Sequence, residues 1–204
     1  MATDREALVR RGQMLSRITL GYNTLEALAA LVAGVIAGSV SLVGFGIDSI
    51  IEVSSSVAAL WRLRSDVQAE RRERVEQHAN RIIGVSFILL ATYLTVDATH
   101  ALWAHERPER TIPGIIVAAL SVVVMPILAS KKRRVAVGLG SRALAADATQ
   151  TNLCMYLSAI VLGGLALNAL FGWWWADPVA ALVMVPIIAK EGIEGVKGVP
   201  ACEC

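Results

Sequence analysis

The sequence predicts an all-α fold, a polytopic membrane protein built as a bundle of six transmembrane helices. Composition is the first reason. The chain of 204 residues is 55% hydrophobic, with a mean hydropathy of +0.59, too apolar for an ordinary soluble domain. Segmentation is the second: six apolar stretches lie near 18–40, 42–61, 82–103, 112–130, 144–171 and 175–189, close to the roughly 17–25 residues with which a helix crosses a bilayer. The third is where the basic residues fall. Seventeen of nineteen lie before the first stretch, after the second, after the fourth or after the sixth. Only Arg107 and Arg110 fall in the opposite set. By the positive-inside rule both termini are then cytoplasmic, and an odd number of spans would break the partition. The net charge of +2 gives no ground for a nucleic-acid partner.

In chain order, residues 1–17 form a cytoplasmic N-terminal segment with Arg5, Arg10, Arg11 and Arg17. It has no apolar core and no small-residue cleavage site, so it does not read as a cleavable signal peptide. The membrane domain covers 18–195. Its first span carries Asn23 and Glu26 on one face, and Gly34 and Gly38 at a spacing that lets helices approach closely. The second holds Asp48 and Glu52 and no basic residue before Arg62. Basic cytoplasmic loops are expected near 62–81 and 131–143. The third ends with Asp97 and His100, read as interfacial groups wetted by solvent. The fifth is longer than a bilayer requires, and the sixth is short and holds Pro186. Trp103 and the run Trp173-Trp174-Trp175 fall at the outer boundary, where amphipathic rings prefer to lie. A tail, 196–204, carries Cys202 and Cys204, a weak thiolate pair.

The chemistry is expected around Asp48 and Glu52. Four residues apart, they project from one helical face. Each ionised acid near mid-membrane costs roughly 2.5–3.5 kcal/mol on insertion scales, so such groups face a partner or water and mark a pathway. A second polar stripe lies on the fifth segment: Asp147, Gln150, Thr151 and Cys154, at i, i+3, i+4 and i+7. Facing the first pair, it would add carboxylate, amide and thiol donors, a set suited to Zn²⁺ or a softer divalent ion. The alternative is a helix interface held by small polar groups. Glu26, Asn23 and Thr151 are candidates for accessory ligands or a proton relay.

These residues carry a resemblance. Ser39-Val40-Ser41-Leu42 followed by Asp48-x-x-x-Glu52 resembles the second helix of the cation diffusion facilitator (cation efflux) family, which has a D-x-x-x-D pair there. Ala146-Asp147-Ala148, continued through Gly172-Trp173-Trp174-Trp175-Ala176-Asp177-Pro178, resembles that family's fifth helix and the start of its sixth. The resemblance implies a secondary transporter that moves Zn²⁺, or Cd²⁺, Co²⁺, Fe²⁺ or Mn²⁺, out of the cytosol against protons. It further implies a homodimer, no prosthetic group, and a bacterial inner membrane as the location. The sequence departs from the family pattern in two ways. Gln150 and Cys154 stand where the family usually has an H-x-x-x-D pair. After the sixth helix only a short tail stands where most members add a soluble metal-binding domain.

Two other functions fit parts of the pattern. A non-transporting metal sensor or assembly subunit would bind ions without moving them. An intramembrane aspartyl protease would use Asp48 and Asp147, but Ile47 separates Gly46 from Asp48 and spoils the GxGD spacing. No HExxH motif offers an enzymatic route, so the chain is read as a transporter and not an enzyme.

Overall fold

The computed structural model describes residues 2–64 and 69–197. Six helices follow in order: α1 (Ala2–Ala37), α2 (Val40–Arg64), α3 (Ala69–Trp103), α4 (Ile112–Leu139), α5 (Arg142–Phe171) and α6 (Ala176–Lys197). The described residues contain no strand. In hydrocarbon every backbone N–H and C=O must be paired, and a helix pairs them within its own segment. The joints use residues suited to ending helices. Gly38 and Gly140 lie at φ 63° and 60°, a left-handed conformation that glycine adopts without a Cβ clash. Each is followed by a serine that caps the next helix: Ser39 Oγ accepts from the Leu42 N–H at 3.2 Å, and Ser141 Oγ from the Leu144 N–H at 3.4 Å. Thr111 caps α4 through the Gly114 N–H, with Pro113 in the first turn, where a missing N–H leaves nothing unpaired.

Five of the helices, α1 to α5, are long and apolar enough to cross a membrane. The sixth carries Asp177 at its start and Lys190, Glu191 and Glu194 toward its end, which lowers its apolar length. It continues unbroken through Pro186. The helices run beyond the apolar stretches into the charged segments, as the sequence allows for 62–81, where a helical hairpin extending the second and third helices is one reading. α1 begins at Ala2, so the arginine-bearing N-terminal segment is helical. The stretch near 62–81 is mostly the end of α2 and the beginning of α3. Residues 131–139 are the last turns of α4 rather than a loop, and only Gly140 and Ser141 join it to α5.

Helix contacts divide the molecule in two. α1 packs on α2 and on α4, α4 on α5, and α5 on α2, which closes a ring of four. α3 and α6 pack chiefly on each other and join the ring through α2 and α5. The pair meets backbone to backbone: a Cβ at Gly84 would fall 2.6 Å from the Val196 nitrogen and 2.8 Å from the Gly192 oxygen. Phe45, Phe87, Leu94, Met125, Leu157, Met184 and Ile188 fill one continuous core. Leu25, Leu28, Val32, Val35, Leu89, Val96 and Val123 face outward, as a lipid-contacting surface requires. At the end bearing the tryptophans, Asp177 is buried and ties α6 to α2. It accepts from Ser39 Oγ at 2.6 Å and Ser41 Oγ at 2.5 Å, and from the Ser41 N–H at 3.4 Å.

Candidate functional site

α2 lies between α1 and α5 in the ring, so the face bearing Asp48 and Glu52 turns inward. Both are enclosed, at 1% and 0% exposure. The inward faces of the other three helices are polar at the same place. On α1, Ser16, Thr19, Asn23 and Glu26 are all buried, one stripe at helical spacing. On α5, Asp147, Thr151 and Cys154 are buried. On α4, Ser121 and Lys132 are buried in line with Gly114, Ala118, Met125 and Leu128. A polar column therefore runs along the interior of an otherwise apolar ring.

Glu26 gathers all four helices at one end of the column. It accepts from Ser49 Oγ at 2.9 Å and from Ser121 Oγ. The Cys154 thiol lies 3.7 Å from its Oε2, and Tyr22 Oη is 3.4 Å from Ser121 Oγ. At the other end, Lys132 Nζ is 2.8 Å from Asp147 Oδ2 and donates to Thr151 Oγ1 at 3.0 Å. Thr151 Oγ1 lies 2.6 Å from Glu52 Oε1, and Ser56 donates to Asp147 Oδ1 at 2.9 Å. Between the two ends sits Asp48, whose carboxylate oxygens, like Glu52 Oε2 and both side-chain polar atoms of Asn23, have no hydrogen-bond partner among the described residues. Buried polar atoms are nearly always paired, so a cluster of unpaired ones marks a place built for something else.

The charge balance says the same. Among the described residues, the buried Glu26, Asp48, Glu52 and Asp147 of the column share it with one buried ammonium, that of Lys132. If all ionise, the excess of carboxylates calls for positive charge, as protons or as a cation.

The residues singled out in the sequence meet different fates. Asp48, Glu52, Glu26, Asn23, Thr151 and Cys154 line the column. Asp147 lines it too, but engaged by Lys132 and Ser56. Gln150 is half-buried, with its amide nitrogen enclosed and unpartnered among the described residues. Cys202 and Cys204 lie outside the described residues. Among these residues no three His, Cys, Asp or Glu side chains converge as a ready-made metal cage; the acids are spread along the column. Asp97 accepts from Tyr93 Oη at 3.0 Å, and His100 pairs with Glu106 at the surface. Lys132, Ser49, Ser56 and Ser121 were not anticipated as part of the column. Their signal was the inward stripe of each helix, which for Lys132 becomes visible only once α4 is allowed to run past Ser130.

Comparison with known proteins agrees with this architecture. The model of the cation efflux transmembrane domain matches residues 16–197. Transmembrane protein 163 of Xenopus laevis is 27% identical over 188 residues, covering 91% of this chain and 66% of that protein. An uncharacterized transporter of Methanocaldococcus jannaschii is 26% identical, covering 84% of the chain and 62% of the relative. Another, from Synechocystis, is 25% identical over 83% of the chain and 59% of the relative. The chain thus spans about three fifths to two thirds of the length of these relatives. On the match to its transmembrane domain, the chain belongs to the cation efflux family and is a multi-pass membrane protein of the transporter kind.

Proposed function

We propose that the chain exports a divalent metal cation, Zn²⁺ foremost, in exchange for protons. One observation carries the reading: Asp48 is enclosed in the ring one helical turn from Glu52, and neither of its carboxylate oxygens accepts a hydrogen bond among the described residues. Carboxylate oxygen and thiolate sulfur suit Zn²⁺, and the thiolate extends the range to softer ions such as Cd²⁺. Asp48, Glu52 and Cys154 are the proposed primary ligands. Since the acids are spread along the column and do not converge as a cage among the described residues, these ligands would draw together around an arriving ion, with Glu26 of α1 and Gln150 and Asp147 of α5 as the further candidates.

Metal ligands bind deprotonated, so an incoming cation releases protons from the carboxylates it occupies. With the column opening alternately to each side, protons and metal compete for the same oxygens, and inward proton flow drives the metal outward. Both termini face the cytosol in this reading, and the working form is a homodimer in a bacterial inner membrane. No prosthetic group takes part. The intramembrane protease alternative needs two carboxylates sharing a proton, whereas Asp147 spends its oxygens on Lys132 and Ser56.

The test is uptake into proteoliposomes with an imposed proton gradient, read by an enclosed Zn²⁺-sensitive dye. Wild-type protein should accumulate Zn²⁺ only with the gradient. Asp48→Ala should cut the rate by about a hundredfold or more, since it removes a ligand outright. Gradient-independent binding with no flux would instead identify a metal sensor or assembly subunit.

A further inference from the structure

Four consecutive basic residues, Lys131 to Arg134, lie near the end of α4, which continues to Leu139. Lys131, Arg133 and Arg134 are exposed, as their position near a membrane boundary favours. Lys132 alone turns inward and is fully enclosed, at 0% exposure. A lysine so close to water could extend its stem and keep its ammonium hydrated. Enclosing it instead carries a desolvation penalty that an ion pair often only offsets, so the arrangement asks for a role beyond stability. Its partners supply one. The ammonium bridges Asp147 Oδ2 at 2.8 Å and Thr151 Oγ1 at 3.0 Å, and that hydroxyl oxygen lies 2.6 Å from Glu52 Oε1. The positive charge thus sits one hydroxyl away from the carboxylate one turn from Asp48.

We infer that Lys132 is a tethered cation: its ammonium takes the place beside Asp147 and Glu52 that a transported divalent cation would otherwise take, and the ion reaches these carboxylates by displacing it. This rests on the transport reading above and adds what sets the strength of the site. With the ammonium present, an arriving ion must compete with a permanently attached rival, so binding stays weak enough for release. When the ion leaves, the ammonium returns and the acids are never left bare. A merely structural ion pair between α4 and α5 predicts the opposite outcome on removal, a loosened bundle that binds metal less well.

The experiment is calorimetric titration of Zn²⁺ into the 204-residue chain in detergent, with Cys202→Ser and Cys204→Ser so that the tail contributes nothing. Lys132→Met and Lys132→Gln should bind Zn²⁺ at least about tenfold more tightly than the parent, because a repelling charge a few ångströms away has gone. Lys132→Arg, which keeps the charge, should stay within about threefold. Because misfolding weakens binding, tightening in either the Met or the Gln variant supports the inference. Unchanged or weaker binding in both overturns it. If the parent binds Zn²⁺ and loses it on Asp48→Ala while no Lys132 variant gains, the transport reading stands and the tethered cation falls. If parent and variants alike bind nothing, both fall.

Discussion

At the scale of single residues, the question is which carboxylate does what. Asp48 and Glu26 are both buried acids, but Glu26 is held by Ser49, Ser121 and the Cys154 thiol, whereas Asp48 has no partner among the described residues. A satisfied acid can be a structural hub or a standby ligand. Glu26→Gln separates the two, since the amide keeps the shape but not the charge: its oxygen still accepts, and its NH₂ donates to the hydroxyl oxygen that the second carboxylate oxygen faced. If Glu26 completes the metal site, Zn²⁺ affinity in the titration should fall about tenfold, with melting temperature in detergent little changed. Unchanged affinity would leave Glu26 as a hub only. The sequence made much of this site legible. Asp48 and Glu52 stood out because carboxylates in an apolar run have no inexpensive explanation. Glu26 and Asn23 stood out for the same reason, more faintly. Ser49, Ser56 and Ser121 did not, because a lone hydroxyl in a membrane helix bonds back to its own backbone without penalty, as Ser49 does to the Phe45 carbonyl at 3.1 Å. Asp147 was legible as a buried acid, but its partner was not.

At the scale of elements, helix positions were easier to read than helix ends. All six apolar stretches became helices, because length and hydropathy decide that in a membrane. The end of α4 was hidden because Lys131 to Arg134 look like a loop by charge, whereas three of the four simply project from a helix whose backbone continues to Leu139. The joint between α2 and α6 was also beyond pattern reading, since Ser39, Ser41 and Asp177 are far apart in sequence. It makes a firm prediction. Asp177→Ala would leave the Ser39 and Ser41 hydroxyls buried without their acceptor, at a cost of about 2–4 kcal/mol. Thermal unfolding in detergent should show a clear drop in melting temperature. Ser41→Ala, which removes one donor and leaves the other, should show about half as much. An Asp177→Ala protein as stable as wild type would mean the latch is idle.

At the scale of the whole molecule, the division into a ring and a pair separates two tasks. Among the described residues, those named in the polar column come from α1, α2, α4 or α5. The α3–α6 pair contributes apolar packing, the Asp177 joint and the half-buried Glu191, and its own seam is the close approach of Gly84 to Gly192. Binding should therefore depend on the ring, and movement on how the pair sits against it. Gly192→Ala tests this division, because the added Cβ would fall 2.9 Å from Ile88 Cγ1 and 3.0 Å from the Gly84 oxygen. Neither neighbour yields easily, so the seam must widen, at a cost of about 1–3 kcal/mol. The expected result is a melting temperature lower by several degrees and a slower Zn²⁺ uptake in proteoliposomes, with the Zn²⁺ dissociation constant changed by less than about threefold. Substitutions inside the ring, such as those at Glu26 and Lys132, should do the reverse and move the dissociation constant first. A Gly192→Ala protein whose affinity falls as far as that of Glu26→Gln would show that the pair shapes the site itself, and the ring could no longer be treated as the self-contained binding unit.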